Sequence, residues 1–133
     1  MPVEGTGVRV RLRFWGVRGS TPTPQVENLG YGGNTPCLEV RGPSGDVVIF
    51  DGGTGLRRLG SSLPSNPRDD KLRLNFFSTH LHWDHIQGIP FFSPLYQAQN
   101  EVTFYSSVSN SIRQALEGQM ATPDPTRAWA PTV

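Results

Sequence analysis

Thr79-His80-Leu81-His82-Trp83-Asp84-His85-Ile86-Gln87-Gly88 contains all three histidines of the 133-residue chain, with one carboxylate between the second and the third. Neutral imidazole and carboxylate are the donors that a borderline divalent ion such as zinc selects, at roughly 2.0–2.2 Å from nitrogen or oxygen. In an extended or looped backbone, side chains at i and i+2 share a side, so His80 and His82 can share one ion. Asp84 and His85 are adjacent and lie past the turn, and they project differently. They can therefore reach a second ion about 3.5–4 Å from the first. A histidine-rich turn can also be a plain solvated loop, but here it follows a predicted buried strand made of Leu72, Leu74 and Phe76, with Phe77 beside them. That placement favours the metal reading, because a rigid strand with a ligand loop at its C-terminal end holds the loop in advance.

Upstream of this strand, Cys37–Arg41 and Val47–Phe50 read as two strands joined by Gly42-Pro43-Ser44-Gly45-Asp46, a hairpin-forming turn. Cys37 reads as a small core residue, since nothing near it in sequence would activate a thiol. Thr54 is placed to cap a helix with Leu56, Leu59 and Leu63 on one side. Near the N-terminus, Val8, Val10, Leu12 and Phe14 alternate with Arg9, Arg11 and Arg13, which predicts a strand with an apolar face buried and a basic face in water. The loop from Gly16 to Asn34 holds five glycines and two prolines and no regular period, a composition that excludes a long element. Loops of this length in a compact domain are usually functional or disordered. Arg18, Ser20, Asn34 and Thr35 offer donors there for an anionic substrate, and Gly32-Gly33 would allow close backbone approach. Asp51, before Gly52-Gly53, can be a turn-forming residue.

After the histidines, Pro90 stops any long helix, and Phe91, Phe92, Leu95 and Tyr96 supply apolar packing. Trp83 sits among the proposed ligands, so its reading stays open between packing and the cleft. Val102, Phe104 and Tyr105 suggest another strand. Ser111 with Gln114 forms a capping-box pattern that opens a helix carrying Ile112, Leu116 and Met120.

These residues carry a resemblance. His80-x-His82-x-Asp84-His85 followed by Gly88 resembles the metal motif of the metallo-β-lactamase superfamily of metal-dependent hydrolases. Phe14-Trp15-Gly16-Val17-Arg18-Gly19-Ser20-Thr21-Pro22 and Ile49-Phe50-Asp51-Gly52-Gly53-Thr54-Gly55 look like pieces of its ribonuclease Z and cyclic-nucleotide phosphodiesterase branch. The likeness runs from about Val8 to Met120. The resemblance implies an α/β (α+β) fold, an αβ/βα sandwich with a mostly antiparallel or mixed sheet and short flanking helices. Only its first half is readable, as a domain over residues 1–120 with a loose tail at 121–133. It implies two divalent ions, zinc foremost and manganese or iron as alternatives, with His80 and His82 on one and Asp84 and His85 on the other. Asp84 would also be catalytic, holding the proton of the attacking water, and Asp51 would fix a ligand imidazole.

The implied chemistry is hydrolysis by a metal-activated water, with a small-molecule or nucleotide phosphodiester as the leading substrate. Thioesters, lactones and other carbonyl compounds are the alternative, because one fold hosts several reactions. Superfamily members need further histidine and aspartate ligands. No histidine follows His85, and Glu101, Glu117 and Asp124 are the only later carboxylates. A catalytic zinc ordinarily has three protein ligands and a water, so the expectation is an incomplete site in a truncated chain. Such a chain would have little or no activity alone, or would be a non-catalytic half-domain that associates with a copy or partner. The sheet face meant for the missing layer would be left uncovered.

Composition sets the remaining bounds. The formal net charge is +1, which gives no support to general nucleic-acid or membrane attraction. A single cysteine rules out an internal disulfide and fits a reducing compartment. No apolar run reaches the roughly 18 residues of a membrane span. A cytoplasmic location is the expectation.

Overall fold

The computed structural model describes residues 7, 9–64, 71–107 and 111–121. Five strands lie side by side in chain order: β1 (Arg11–Gly16), β2 (Cys37–Arg41), β3 (Val47–Phe50), β4 (Arg73–Ser78) and β5 (Glu101–Ser106). The pairs β1/β2 and β2/β3 are antiparallel, whereas β3/β4 and β4/β5 are parallel. The fold is therefore α+β with a mixed sheet. Parallel neighbours cannot be joined by a tight turn and need a crossover. The segment from β3 to β4 carries helix α1 (Gly55–Ser62), and the segment from β4 to β5 carries the single-turn helix α2 (Trp83–Ile86). A third helix, α3 (Ser111–Met120), follows β5.

One sheet face is covered. Cys37, Val47, Ile49, Leu74 and Phe76 form its core with Leu56 and Leu59 of α1, with Leu63 just past its end, and with Ile86, Ile89 and Phe92. Burying a leucine or phenylalanine fully is worth about 1.5–3 kcal/mol, and Leu56, Leu59, Phe76 and Phe92 are each 0% exposed. The hairpin, β4 and the leucine face of α1 all fall where their patterns place them. Thr54, however, makes no side-chain cap to α1. Its hydroxyl accepts from the Thr35 N–H at 2.9 Å instead. Phe91 and Tyr96 were expected to pack in the core with Phe92 but are exposed, because two short 3-10 turns around Pro90 and Pro94 rotate successive side chains outward.

The other face is open. Leu12 and Phe14 of β1 register against Val40 and Leu38 of β2, which in turn register against Val48 and Phe50 of β3. The row continues to Phe77 of β4 and Tyr105 of β5. Phe50 and Phe77 stack at 5.4 Å between ring centroids, and Phe77 and Tyr105 at 4.5 Å. No described helix packs on this row. Leu12 is 56% exposed and Phe14 66%. The expected orientation of β1 is thus reversed, since its apolar positions are the open ones. Arg13, on the opposite side, lies 4.2 Å over the Trp15 ring and faces Glu39, which is buried and accepts a 2.8 Å bond from the Trp15 indole. Alternation defines two faces but does not say which one a helix will cover, and here α1 packs on the Trp15 side. Val8, and the tail beyond Ala121, lie outside the described residues.

Candidate metal centre

The histidines emerge at the C-terminal end of β4, beside the C-terminal end of its parallel neighbour β3. The loop leaving β3 and the segment around α2 are joined backbone to backbone. Gly52 N–H donates to the His85 carbonyl at 2.6 Å, and Gly88 N–H donates to the Gly52 carbonyl at 2.8 Å. This approach demands glycine, because a Cβ on Gly88 would lie 2.0 Å from the Gly53 carbonyl oxygen, and one on Gly53 would lie 2.4 Å from the Asp84 carbonyl oxygen.

Within this frame the three imidazoles meet. Ring centroids of His80 and His82 are 4.5 Å apart, and those of His80 and His85 are 4.0 Å apart. The His82 ring thus lies on the same side of the loop as His80, and α2 brings His85 back against His80. Asp84 is buried, and its Oδ2 lies 3.5 Å from His85 Nε2. The same oxygen accepts the Ser20 N–H at 2.8 Å. Burial alone would raise the Asp84 carboxyl, but the Ser20 N–H, followed by the His85 and His80 rings, outweighs it and holds the group below its ordinary value.

Asp51 supports the cluster from behind. Its Oδ1 accepts the Thr79 backbone N–H at 2.8 Å, and the Thr79 hydroxyl lies 3.0 and 2.9 Å from Oδ1 and Oδ2. An ionised carboxylate only accepts, so the hydroxyl spends its one proton on Asp51. It therefore accepts from His80 Nδ1, 3.0 Å away. Nδ1 then carries the ring proton and Nε2 keeps the lone pair that a cation needs. Asp51 also lies 3.0 Å from His85 Nδ1 through Oδ2, although that buried nitrogen has no aligned hydrogen-bond partner. Ser20 and Asp51 are the only non-glycine residues at positive φ among the described residues, at 66° and 61°. Each such conformation costs on the order of 1–3 kcal/mol, and both residues hold a group of this cluster in place.

The remaining loop residues fare differently. Arg18 turns its guanidinium inward, donating to the Gly32 and Asn28 carbonyls at 3.1 and 3.2 Å, which closes the loop on itself. Ser20 contributes its backbone N–H to Asp84, as a positioning contact. Asn34 accepts from the Thr54 hydroxyl at 3.1 Å. Thr35 was expected at the substrate rim but is 0% exposed. Its hydroxyl accepts from the Thr54 N–H and the Gln87 side chain at 2.8 and 3.2 Å, bolting the loop to α1 and α2. Sequence reading missed Thr79, although a hydroxyl residue directly before the first histidine was the available signal. Cys37 is buried with its thiol pushed far up, first by burial and then by Glu39, so it is inert as a ligand or nucleophile.

No family model, curated protein or solved structure matches the chain.

Three imidazoles and a carboxylate are the donor set that zinc takes. Among the described residues, no three histidine, cysteine, aspartate or glutamate side chains converge on one point closely enough to cage an ion. The rings instead lean on one another, and the buried His85 Nδ1 lies 3.0 Å from Asp51 Oδ2 without an aligned hydrogen bond. The donors fit a divalent ion in kind, but among the described residues they are not gathered into a cage.

Proposed function

We propose that this chain carries the ligand-bearing part of a metal-dependent hydrolase acting on phosphodiesters, in the manner of the metallo-β-lactamase superfamily that the histidine motif resembles. The observation that carries the reading is the ring-to-ring cluster of His80, His82 and His85 with Asp84, braced by Asp51 through Thr79. His80, His82, Asp84 and His85 would hold one or two divalent ions, zinc foremost. Bound there, such an ion would supply a water of lowered pKa and a positive centre for the developing oxyanion. The chain's own residues do the rest. Thr79 fixes the His80 tautomer, Ser20 and His85 hold Asp84 ionised, and the Asp84 carboxylate accepts the proton of the attacking water. No serine, threonine or cysteine nucleophile is required.

The test is hydrolysis of bis-p-nitrophenyl phosphate with added Mn²⁺ or Zn²⁺. The reading expects weak turnover by the chain alone, abolished by EDTA and lost in Asp84→Asn, in line with the loss of a positioned acid–base group. Turnover confined to thioesters or lactones would transfer the assignment to carbonyl substrates. A second reading, a half-domain that completes its site against another copy or partner, is favoured by the lack, among the described residues, of a group of three ligands and by the open sheet face. Zinc-dependent dimerisation with turnover rising as the square of protein concentration would select it.

A further inference from the structure

β1 stands at one end of the sheet order, so the side of it turned away from β2 is an open edge among the described residues. An antiparallel strand spends only half of its main-chain donors and acceptors on one neighbour. Over Arg11–Phe14 no described backbone group outside the sheet takes up the rest. We propose that this edge captures an extended segment of an acidic partner protein, in which carboxylate and apolar residues alternate, as a further strand. None of the residues involved belongs to the histidine centre.

Charge decides what kind of strand fits. Arg9, Arg11 and Arg13 alternate with Val10, Leu12 and Phe14, and all of these are exposed. The guanidinium side is not neutralised. Among the described residues Arg9, Arg11, Arg57 and Arg58 form no ion pair, Arg41 pairs with Glu39, and Arg13 lies over the Trp15 ring. Glu39 is buried and also accepts the Trp15 indole N–H, so it is already engaged. Two clefts open along this side. One, of about 590 Å³, is lined by Arg9, Arg11 and Arg41 with Gly42 and Pro43 of the hairpin turn. The other, of about 480 Å³, is lined by Arg13 of β1 with Arg57 and Arg58 of α1. No carboxylate lines either cleft. Arg11 stands directly opposite Arg41 in the β1/β2 register, and like charges so placed weaken a sheet. A carboxylate reaching Arg11 from the free edge relieves that repulsion with a charge-assisted bond.

The same row excludes a second copy as the occupant. Two antiparallel β1 strands that kept their apolar side chains together would set arginine against arginine. A strand with carboxylates at those positions reverses the sign of each pair and lays its apolar side chains beside Val10, Leu12 and Phe14. A nucleic-acid backbone would meet the guanidinium groups but neither the unspent main-chain groups nor the apolar side. The net charge of +1 gives it no general attraction either. Strand addition uses all three features, with main-chain bonds for affinity and alternate side chains for specificity.

The experiment titrates the full chain, in EDTA, with a fluorescein-labelled, capped peptide of alternating glutamate and valine, read by fluorescence anisotropy. The controls are a peptide of the same composition with its glutamates grouped at one end, the alternating peptide N-methylated throughout, and a single-stranded oligodeoxythymidylate. Saturable binding of the alternating peptide is expected, with the grouped and N-methylated peptides roughly tenfold or more weaker, because side-chain register and main-chain bonds are lost. Arg9→Glu/Arg11→Glu should lose the glutamate peptide and gain an alternating lysine–valine peptide, a gain that a misfolded variant could not show. Absence of saturable binding by the alternating peptide overturns the proposal. Equal binding of the alternating and grouped peptides, indifference to N-methylation, or tighter binding of the oligonucleotide than of the peptide also overturns it, leaving only a basic patch.

Discussion

Asp84 illustrates how far one residue's environment sets its behaviour. Its folded-state pKa lies below the ordinary 3.8, so the unfolded chain binds its proton more readily. The stability this difference contributes is fully present above the ordinary value and is lost as pH falls through the lowered one. Asp84→Asn should therefore flatten the acid limb of stability below about pH 4, measured by urea denaturation at successive pH values. An acid limb identical to wild type would mean that the Ser20 contact does not hold the carboxylate. Thr79 acts on the cluster without entering it. Thr79→Val keeps shape but removes the hydroxyl between Asp51 and His80, and should weaken zinc binding about 10–100-fold, as loss of ligand-orienting partners does. Thr79→Ser should restore it. Equal affinity in all three would remove the argument for the His80 tautomer.

At the scale of elements, the loop after β3 and the helix α2 form one unit because glycine lets their backbones touch. A methyl on Gly88 has nowhere to go, since it would meet backbone oxygen and not a movable side chain. Gly88→Ala is expected to destabilise by about 1–3 kcal/mol, read by thermal or chemical denaturation, and to disturb zinc affinity at the same time. Wild-type stability would show that the two segments are free to part. The elements that sequence alone places correctly are those whose pattern has one interpretation. The Val47–Phe50 run needs burial, the Leu56/Leu59/Leu63 face needs a core, and the turn at Gly42–Asp46 closes a hairpin. What it misplaces depends on long-range partners. The alternation in β1 is real, but which face is covered is decided by α1, which begins forty residues after Trp15 and packs against it. In the candidate site, the approach of the His80 and His82 rings was legible because side chains at i and i+2 of an extended segment share a side. Thr35 was not, because its burial follows from Thr54 and Gln87, which no local pattern connects to it.

For the whole molecule, the covered and open faces of one sheet divide the roles. The covered face supplies the core, and the open face presents a stacked row of Phe50, Phe77 and Tyr105 flanked by Leu12 and Phe14. Contiguous exposed apolar surface marks an interaction surface or an aggregation risk. The folded chain is accordingly expected to bind the dye ANS while retaining cooperative unfolding, and Phe14→Ser with Phe77→Ser should reduce that binding with the fold preserved. Dye binding unaffected by these changes would place the apolar surface elsewhere. No helix among the described residues is long and apolar enough to cross a membrane. The central claim is that the imidazoles after β4 grip a divalent cation, and calorimetric titration of the chain with Zn²⁺ tests it most directly. Saturable binding in the wild type, lost in both His80→Ala and His82→Ala, is predicted. No saturable binding, or binding that both substitutions leave unchanged, would contradict it.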